Sequence, residues 1–249
     1  MKITILGCGT VLGTPVWSCD CDVCKSKDPR NKRTRSSICV KSEGKVIVID
    51  AGPDFREQML RENIKKIDYF FLTHSHGDHS ACLNELRGAK DCVVLMPKEV
   101  LDAVEEKRSV ISYLKTRNPA LIIKPFKTIN IGKLKVTAIP VDHSKDIAAV
   151  NTPTTAYLFE EEGKAFLYAP DYIKLLERVP NLDLFIADGT FLEPKMGHAG
   201  IKESIKLAKK LNTKKLIITH LTHEFSYKDL VKILDGSGIP AYDGLTFDF

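Results

Sequence analysis

The segment Thr73-His74-Ser75-His76-Gly77-Asp78-His79 places four ligand-type side chains within six positions. It lies directly behind the apolar run Asp68-Tyr69-Phe70-Phe71-Leu72, which reads as a buried strand ending at a sheet edge. In extended chain, residues two apart face the same side, so His74 and His76 can grip one ion together. Gly77 permits a turn, after which Asp78 and His79 can address a second ion nearby. A chain with this feature needs a fold that brings the end of a buried strand to an open rim where further ligands converge.

The rest of the chain is consistent with such a fold. Its 249 residues are 43% hydrophobic and 28% charged, which suits a globular protein and excludes disorder, collagen and coiled coil. Strand-like runs are expected at Lys2–Gly7, Ile38–Lys41, Lys45–Asp50, Ile67–Thr73, Cys92–Met96, Lys133–Pro140, Thr155–Glu161, Lys164–Ala169, Asp183–Asp188 and Lys215–Thr219. Helices are expected at Asp54–Glu62, Lys98 to about Tyr113, Ile201–Leu211 and Tyr227–Leu234. Glu43-Gly44 and Glu162-Gly163 read as hairpin turns, which implies mixed rather than purely parallel sheets. No linker-like stretch divides the chain, so residues 1–249 are expected to form one layered α/β domain. No run of 18 apolar residues occurs and the N-terminus does not resemble a secretory signal, so a cytoplasmic protein without membrane contact is expected.

Three more polar residues stand just after apolar strands: His143 behind Ile139-Pro140-Val141-Asp142, Asp171 behind Phe166–Pro170, and His220 behind Leu216–Thr219. Cysteine is unevenly placed. Cys8, Cys39, Cys82 and Cys92 read as buried small hydrophobes, whereas Cys19, Cys21 and Cys24 form a C-x-C-x2-C cluster. Three thiols need a fourth ligand to close a structural zinc site. His223 is the best candidate. It lies three residues after His220, an odd separation that in extended chain turns the two rings to opposite faces.

T-H-S-H-G-D-H resembles the H-x-H-x-D-H signature of the metallo-β-lactamase superfamily, and His143, Asp171 and His220 follow in the order of that superfamily. The resemblance implies an αββα sandwich of two mixed β-sheets with outer helices and two metal ions at one edge. It assigns His74, His76 and His143 to one ion, Asp78, His79 and His220 to the other, and Asp171 to both. The segments Gly13–Cys24, His143-Ser144-Lys145 and Thr219–Phe225 further resemble the PhnP group of phosphodiesterases. In that group the Cys3His zinc is structural and the di-metal site opens cyclic phosphates. PqqB shares a similar cysteine cluster and is the nearest competing group. The stretch 146–154 is longer than in the PhnP pattern and is expected to border the active site.

The function implied is hydrolysis of 5-phosphoribosyl 1,2-cyclic phosphate or a 2′,3′-cyclic nucleotide by a metal-bridged hydroxide. Two divalent ions, less the charges of Asp78, Asp171 and the hydroxide, leave a site suited to an anionic phosphodiester. The ligand set suits Zn, Mn, Fe or Ni. The resemblance makes His198 the general acid for the leaving oxygen. The basic stretch Lys25–Arg35 reads either as a solvated loop or as a positive rim on which Arg33 and Arg35 meet a small phosphorylated substrate. An RNA-processing nuclease and a non-catalytic carrier of the same fold are the alternatives. A homodimer is expected, and a stable nucleic-acid partner is not.

Overall fold

The computed structural model describes residues 1–107, 120–124, 127–143, 152–177 and 179–249. In chain order the strands are β1 (Lys2–Gly7), β2 (Ser37–Ser42), β3 (Lys45–Ile49), β4 (Tyr69–Phe71), β5 (Val93–Met96), β6 (Ala120–Ile122), β7 (Thr128–Ile131), β8 (Leu134–Asp142), β9 (Thr154–Glu161), β10 (Lys164–Ala169), β11 (Lys174–Leu175), β12 (Leu184–Asp188), β13 (Lys215–Thr219), β14 (Ile239–Pro240) and β15 (Thr246–Asp248). The helices are α1 (Phe55–Arg61), α2 (Gly77–Ser80), α3 (Lys98–Lys107), α4 (Gly200–Lys210) and α5 (Tyr227–Leu234). No described helix is long and apolar enough to cross a membrane.

One sheet runs β15-β1-β2-β3-β4-β5-β6, and the other runs β11-β8-β9-β10-β12-β13-β14 with β7 paired to β8. Both are mixed. The β2–β3 and β9–β10 pairs are antiparallel, while β3–β4–β5–β6 and β10–β12–β13–β14 are parallel. The two expected hairpins form on two-residue turns with positive φ at both positions, Glu43-Gly44 and Glu162-Gly163. That geometry matches the twist of the flanking strands.

The period-2 pattern of the strands explains the layering. On β3, Ile47 and Ile49 face the second sheet, while Val48 faces the helices with Phe70 and Val94. Between the sheets, Phe71 meets Tyr157 and Phe159 edge-on at ring-centroid distances of 5.0 and 6.2 Å. Phe159 stacks on Phe166 at 4.5 Å. Phe55, Leu83, Val100 and Val104 cover the outside of the first sheet. Ile201, Ala208, Leu230 and Leu234 belong to the larger core around the second. The result is the expected αββα sandwich.

Several elements differ from expectation. The expected strand Ile67–Thr73 pairs as a strand only over Tyr69–Phe71. At its far end Thr73 N donates to the Asp50 carboxylate instead of a neighbouring strand. The short strands β6, β7, β11, β14 and β15 lack enough apolar alternation to be read from sequence. Cys8, Cys39 and Cys92 are buried, but Cys82 is only half-buried, because it sits at the rim where α2 gives way to the following 3-10 helix. The expected continuation of α3 to about Tyr113 lies outside the described residues, as do residues 146–151 of the stretch 146–154.

The aromatic contacts between the sheets should dominate stability. Phe159→Ala removes a fully buried ring and is expected to lower the unfolding free energy by about 3–5 kcal/mol. Trp17, 95% exposed, should be replaceable by alanine at a cost within about 0.5 kcal/mol. Urea unfolding followed by far-UV circular dichroism checks both.

Candidate metal centre

Strands that run in one direction deliver their carboxyl ends to the same edge, and polar residues at those ends converge there. His74 and His76 follow β4, His143 follows β8, Asp171 follows β10 and His220 follows β13. Asp78 and His79 lie on the single turn of α2. The rings of His74, His76 and His143 form a triangle with centroid separations of 4.6, 5.2 and 5.3 Å. Asp78 Oδ2 lies 3.4 Å from His79 Nε2 and 3.3 Å from His220 Nε2. Asp171 stands between the two groups, with Oδ2 2.8 Å from His79 Nε2 and 3.6 Å from His74 Nε2. All seven ligand candidates are therefore brought together. Five of them, His76, Asp78, His143, Asp171 and His220, line with Val11, Gly77 and His198 a cavity of ≈ 270 Å³.

The outer nitrogens fix which atoms face inward. His79 Nδ1 donates to Asp50 at 2.8 Å and His143 Nδ1 to the Gly197 carbonyl at 2.9 Å. The Thr73 hydroxyl donates to Asp50, so it accepts from His74 Nδ1 at 2.9 Å. With Nδ1 protonated, each Nε2 presents a lone pair. The Nε2 atoms of His74, His79 and His143 and both Asp171 oxygens are buried without a hydrogen-bond partner. Each such orphan costs roughly 1–3 kcal/mol. Five of them gathered around Asp171 fit cations that would satisfy all at once.

The electrostatics agree with that donor set. Burial holds the His74 pKa well below the usual imidazole range and brings His76 down to about 4. Burial also opposes ionisation of Asp171, but His220 and His79 outweigh it and hold the carboxyl well below its ordinary value. Asp78 is lowered in the same way by His79 and His220. His74, His76 and His143 are thus held neutral and Asp78 and Asp171 ionised, the forms that bind metal. Burial opposes charge on His79, but the carboxylates of Asp78, Asp171 and Asp50 outweigh it and raise that ring well above the usual imidazole range.

His198 sits on a tight turn in which Met196 and Gly197 both have positive φ. Its Nδ1 lies 3.1 Å from Asp188 Oδ1 and 3.1 Å from Thr190 Oγ1. Burial lowers its pKa, but Asp188 and Asp171 more than offset this and push it up to about 9. Thr190 Oγ1 donates to Asp188 and accepts from His220 Nδ1 at 2.8 Å, so it bridges the two histidines. Asp188 is fully buried, and its other oxygen accepts from Gly200 N at 2.7 Å.

Asp50, Asp188, Thr73 and Thr190 escaped the sequence reading. The two aspartates carried the same signal as Asp171 and His220, a polar residue closing an apolar strand (Val46–Asp50 and Leu184–Asp188). The threonines carried none.

The thiol cluster forms as well. His223 Nδ1 lies 3.5, 3.5 and 3.6 Å from the Sγ atoms of Cys19, Cys21 and Cys24. A tetrahedron with Zn–S of ~2.3 Å and Zn–N of ~2.0 Å has an N···S edge of about 3.5 Å, so the four donors fit zinc. Hydrogen bonds accepted from His223 and from Cys24 N bring the Cys21 thiol down to about 6. The separation of His223 from His220 does not arise from strand alternation, however. His220 has φ +55, so the chain leaves extended geometry at that residue and a turn carries His223 away.

The two arginines do not line the cavity. Arg33 is 2% exposed. Its guanidinium donates to the carbonyls of Thr222 and Phe225, and to Asn31 Oδ1 at 3.3 Å. It is a buried strut rather than part of a substrate rim, because the chain beyond His220 offers carbonyls that no strand pairs. Arg35 pairs with Asp54 at 3.1 Å and donates to the Val11 carbonyl.

Comparison with known proteins gives the family. Residues 45–221 match the model of the β-lactamase superfamily domain. An octanoyltransferase of Porphyromonas gingivalis is 29% identical over 98% of this chain and 51% of its own length. A ribonuclease Z of Methanococcus aeolicus is 28% identical over 79% of this chain and 58% of its own. The chain thus spans little more than half the length of these curated relatives. Among solved structures, a diphosphatase from the PhnP family superposes with a TM-score of 0.86 at 30% identity, covering 100% of this chain and 97% of that one. Zn2+-bound PqqB from Methylobacterium extorquens shares the fold at TM-score 0.86 and 24% identity over the full length of both chains. With the match covering both halves of the sandwich and every strand end that carries a ligand, the chain belongs to the β-lactamase superfamily.

Proposed function

We propose that the protein is a metal-dependent phosphodiesterase acting on a small cyclic phosphate, either 5-phosphoribosyl 1,2-cyclic phosphate or a 2′,3′-cyclic nucleotide. The observation that carries this reading is the pairing of a cluster of seven candidate ligands, five of them lining one cavity, with a separate histidine, His198, on the cavity wall. The likeness to a PhnP-family diphosphatase and to ribonucleases Z supports phosphate ester chemistry.

His74, His76 and His143 would hold one ion, Asp78, His79 and His220 the other, and Asp171 would touch both. Divalent ions bound there supply a nucleophile from water near neutral pH and positive charge for the phosphoryl oxygens. Asp50, Thr73 and Gly197 keep the imidazoles in the ligating tautomer. Asp188 and Thr190 occupy His198 Nδ1, leaving Nε2–H to protonate the departing oxygen. The raised pKa of His198 keeps that proton available at neutral pH. Cys19, Cys21, Cys24 and His223 would hold a structural zinc.

The ribonuclease Z relatives favour a second reading, a nuclease of the same fold. Cleavage of a precursor tRNA in preference to cyclic phosphates would select it. Hydrolysis of cyclic phosphates, followed by phosphorus NMR with Mn2+ or Zn2+ present, tests the first.

His198→Ala should matter in proportion to the basicity of the leaving oxygen. Turnover of a cyclic ribose phosphate is expected to fall about 10²–10⁴-fold, while bis(p-nitrophenyl) phosphate should lose far less. Equal losses on both substrates would remove His198 from the acid role. Asp171→Ala should abolish most activity on both substrates and lower the bound metal measured by plasma emission, with the circular dichroism spectrum unchanged. Retention of two tightly bound ions would contradict its shared position.

Cys21→Ser tests the thiol site separately. It should remove one zinc that withstands mild chelation in the wild type, and it should lower the melting temperature, since a closed zinc site adds folding energy. Identical zinc content in the two proteins would rule out the structural zinc.

A further inference from the structure

His76 differs from the other candidate ligands in how its ring is held. His74 and His143 are buried, whereas His76 is half-buried and stands at the N-cap of α2, where the chain has already left the sheet. Its backbone is fixed, because its carbonyl accepts from His79 N at 3.1 Å and from Ser80 N at 2.9 Å. Those bonds leave the side chain free to turn. The rings of His74, His79 and His143 are each held at Nδ1, by Thr73, Asp50 and the Gly197 carbonyl. Among the described residues the His76 ring has one hydrogen-bond partner, and it lies at the other nitrogen. Thr152 Oγ1 is 3.2 Å from His76 Nε2.

Thr152 stands on a frame that suits this hold. It is buried, and its carbonyl accepts from Thr154 Oγ1 at 2.9 Å. Thr154 opens β9 and pairs with Val141 of β8, two residues before His143. Thr155 N donates to the carbonyl of Thr73 at 3.0 Å, directly before His74. Thr152 is thus tied to the strand ends that carry the two histidines grouped with His76. A neutral imidazole carries one N–H, and its position follows the acceptor within reach. Here that acceptor is the Thr152 hydroxyl, which places the proton on Nε2 and the lone pair on Nδ1.

We infer that Thr152 is a positioning residue whose hydroxyl accepts Nε2–H from His76 and thereby directs Nδ1 of that ring, the opposite nitrogen from that offered by His74 and His143, to their shared ion. The inference rests on the reading of the cavity as an ion site. It gives the described end of the stretch 146–154 a task beyond bordering the site. Loss of the hydroxyl frees both the rotation and the tautomer of the ring, which weakens ion binding while every donor atom remains.

The full-length wild type is compared with Thr152→Val, which keeps the shape and removes the hydroxyl, and with Thr152→Ser, which keeps the hydroxyl. In the zinc-loaded wild type, long-range nitrogen–proton NMR correlation should show His76 protonated at Nε2, with His74 and His143 protonated at Nδ1. In the metal-free protein, His76 Nε2–H should give a slowly exchanging imidazole proton that Thr152→Val loses and Thr152→Ser keeps. Zinc titration against a competing chelator should show one cavity ion held about 10–100-fold more weakly in Thr152→Val, and within about twofold of wild type in Thr152→Ser. The zinc of the thiol cluster and the melting temperature of the metal-free protein should not change. Protonation of His76 at Nδ1, unchanged zinc affinity in Thr152→Val, or a serine variant as weak as the valine variant would overturn the role of Thr152. Uptake of no ion beyond that of the thiol cluster by the wild type would instead overturn the reading of the cavity as a metal centre, and the metal-free proton signal then decides Thr152 by itself.

Discussion

Asp171 is the constraint around which the site is built. Its carboxylate is 2% exposed, and neither oxygen has a hydrogen-bond partner. Moving an ionised carboxylate out of water costs several kcal/mol even after relaxation. Only the histidines around it oppose that penalty, His79 and His220 most strongly. Such an arrangement survives only where the backbone beneath it cannot relax. Asp171 follows β10, which lies between β9 and β12 and is buried from Ala165 to Ala169. The aromatic stack of Phe159 and Phe166 lies under the same strands. Packing energy in the sandwich thus holds in place a group of charges that would otherwise separate.

The two ligand clusters share a mechanical frame. Leu221 N donates to the Cys8 carbonyl at 2.7 Å, and Thr10 N donates back to the Leu221 carbonyl. Gly9 also hydrogen-bonds to Thr34 and Ser36, so the first loop is clamped between the basic stretch and the end of β13. Arg33 then reaches across to Thr222 and Phe225, on either side of His223. A buried guanidinium satisfied by carbonyls is a strong, directional tie. Arg33 and these backbone bonds therefore tie the turn that carries His223 to the loop that carries Val11 and to the turn that begins at His220. The basic stretch serves this frame at Arg33, and at Arg35 it holds the Val11 turn.

The sequence reading succeeded where one local pattern decides the outcome. An apolar strand followed by a polar residue located His74, His143, Asp171 and His220, because a strand end at a parallel edge fixes where the next side chain goes. Glu43-Gly44 and Glu162-Gly163 were readable because two residues with positive φ define that hairpin. The short strands β6, β11, β14 and β15 were not, since two or three residues pair only because a longer neighbour offers an edge. Arg33 was misjudged for a related reason. Its charge is visible in the sequence, but the carbonyls that bury it lie 189 and 192 positions away. Asp50 and Asp188 were missed although they satisfy the rule that found Asp171. Their partners, Thr73 and Thr190, are what turn a strand-end acid into an anchor for a ligand histidine, and no periodicity marks them.

His198 and the candidate ligands are not independent. His143 donates Nδ1–H to the carbonyl of Gly197, the residue immediately before His198. The same turn closes through the reciprocal backbone bonds of Lys195 and His198, both at 3.0 Å. Gly197 takes φ +85, a conformation that a side chain would strain, so the turn depends on glycine there. When His143 Nε2 is engaged as a ligand, its ring is fixed and its Nδ1–H bond fixes Gly197. On the other side, Asp188 holds His198 directly, and Thr190 links it to His220. His198 is therefore gripped through two candidate ligands, His143 and His220, one from each group of donors. Its position follows from the assembly of the site rather than from the stiffness of its own loop, and disturbing either histidine is communicated to His198 through a single hydrogen-bonded residue.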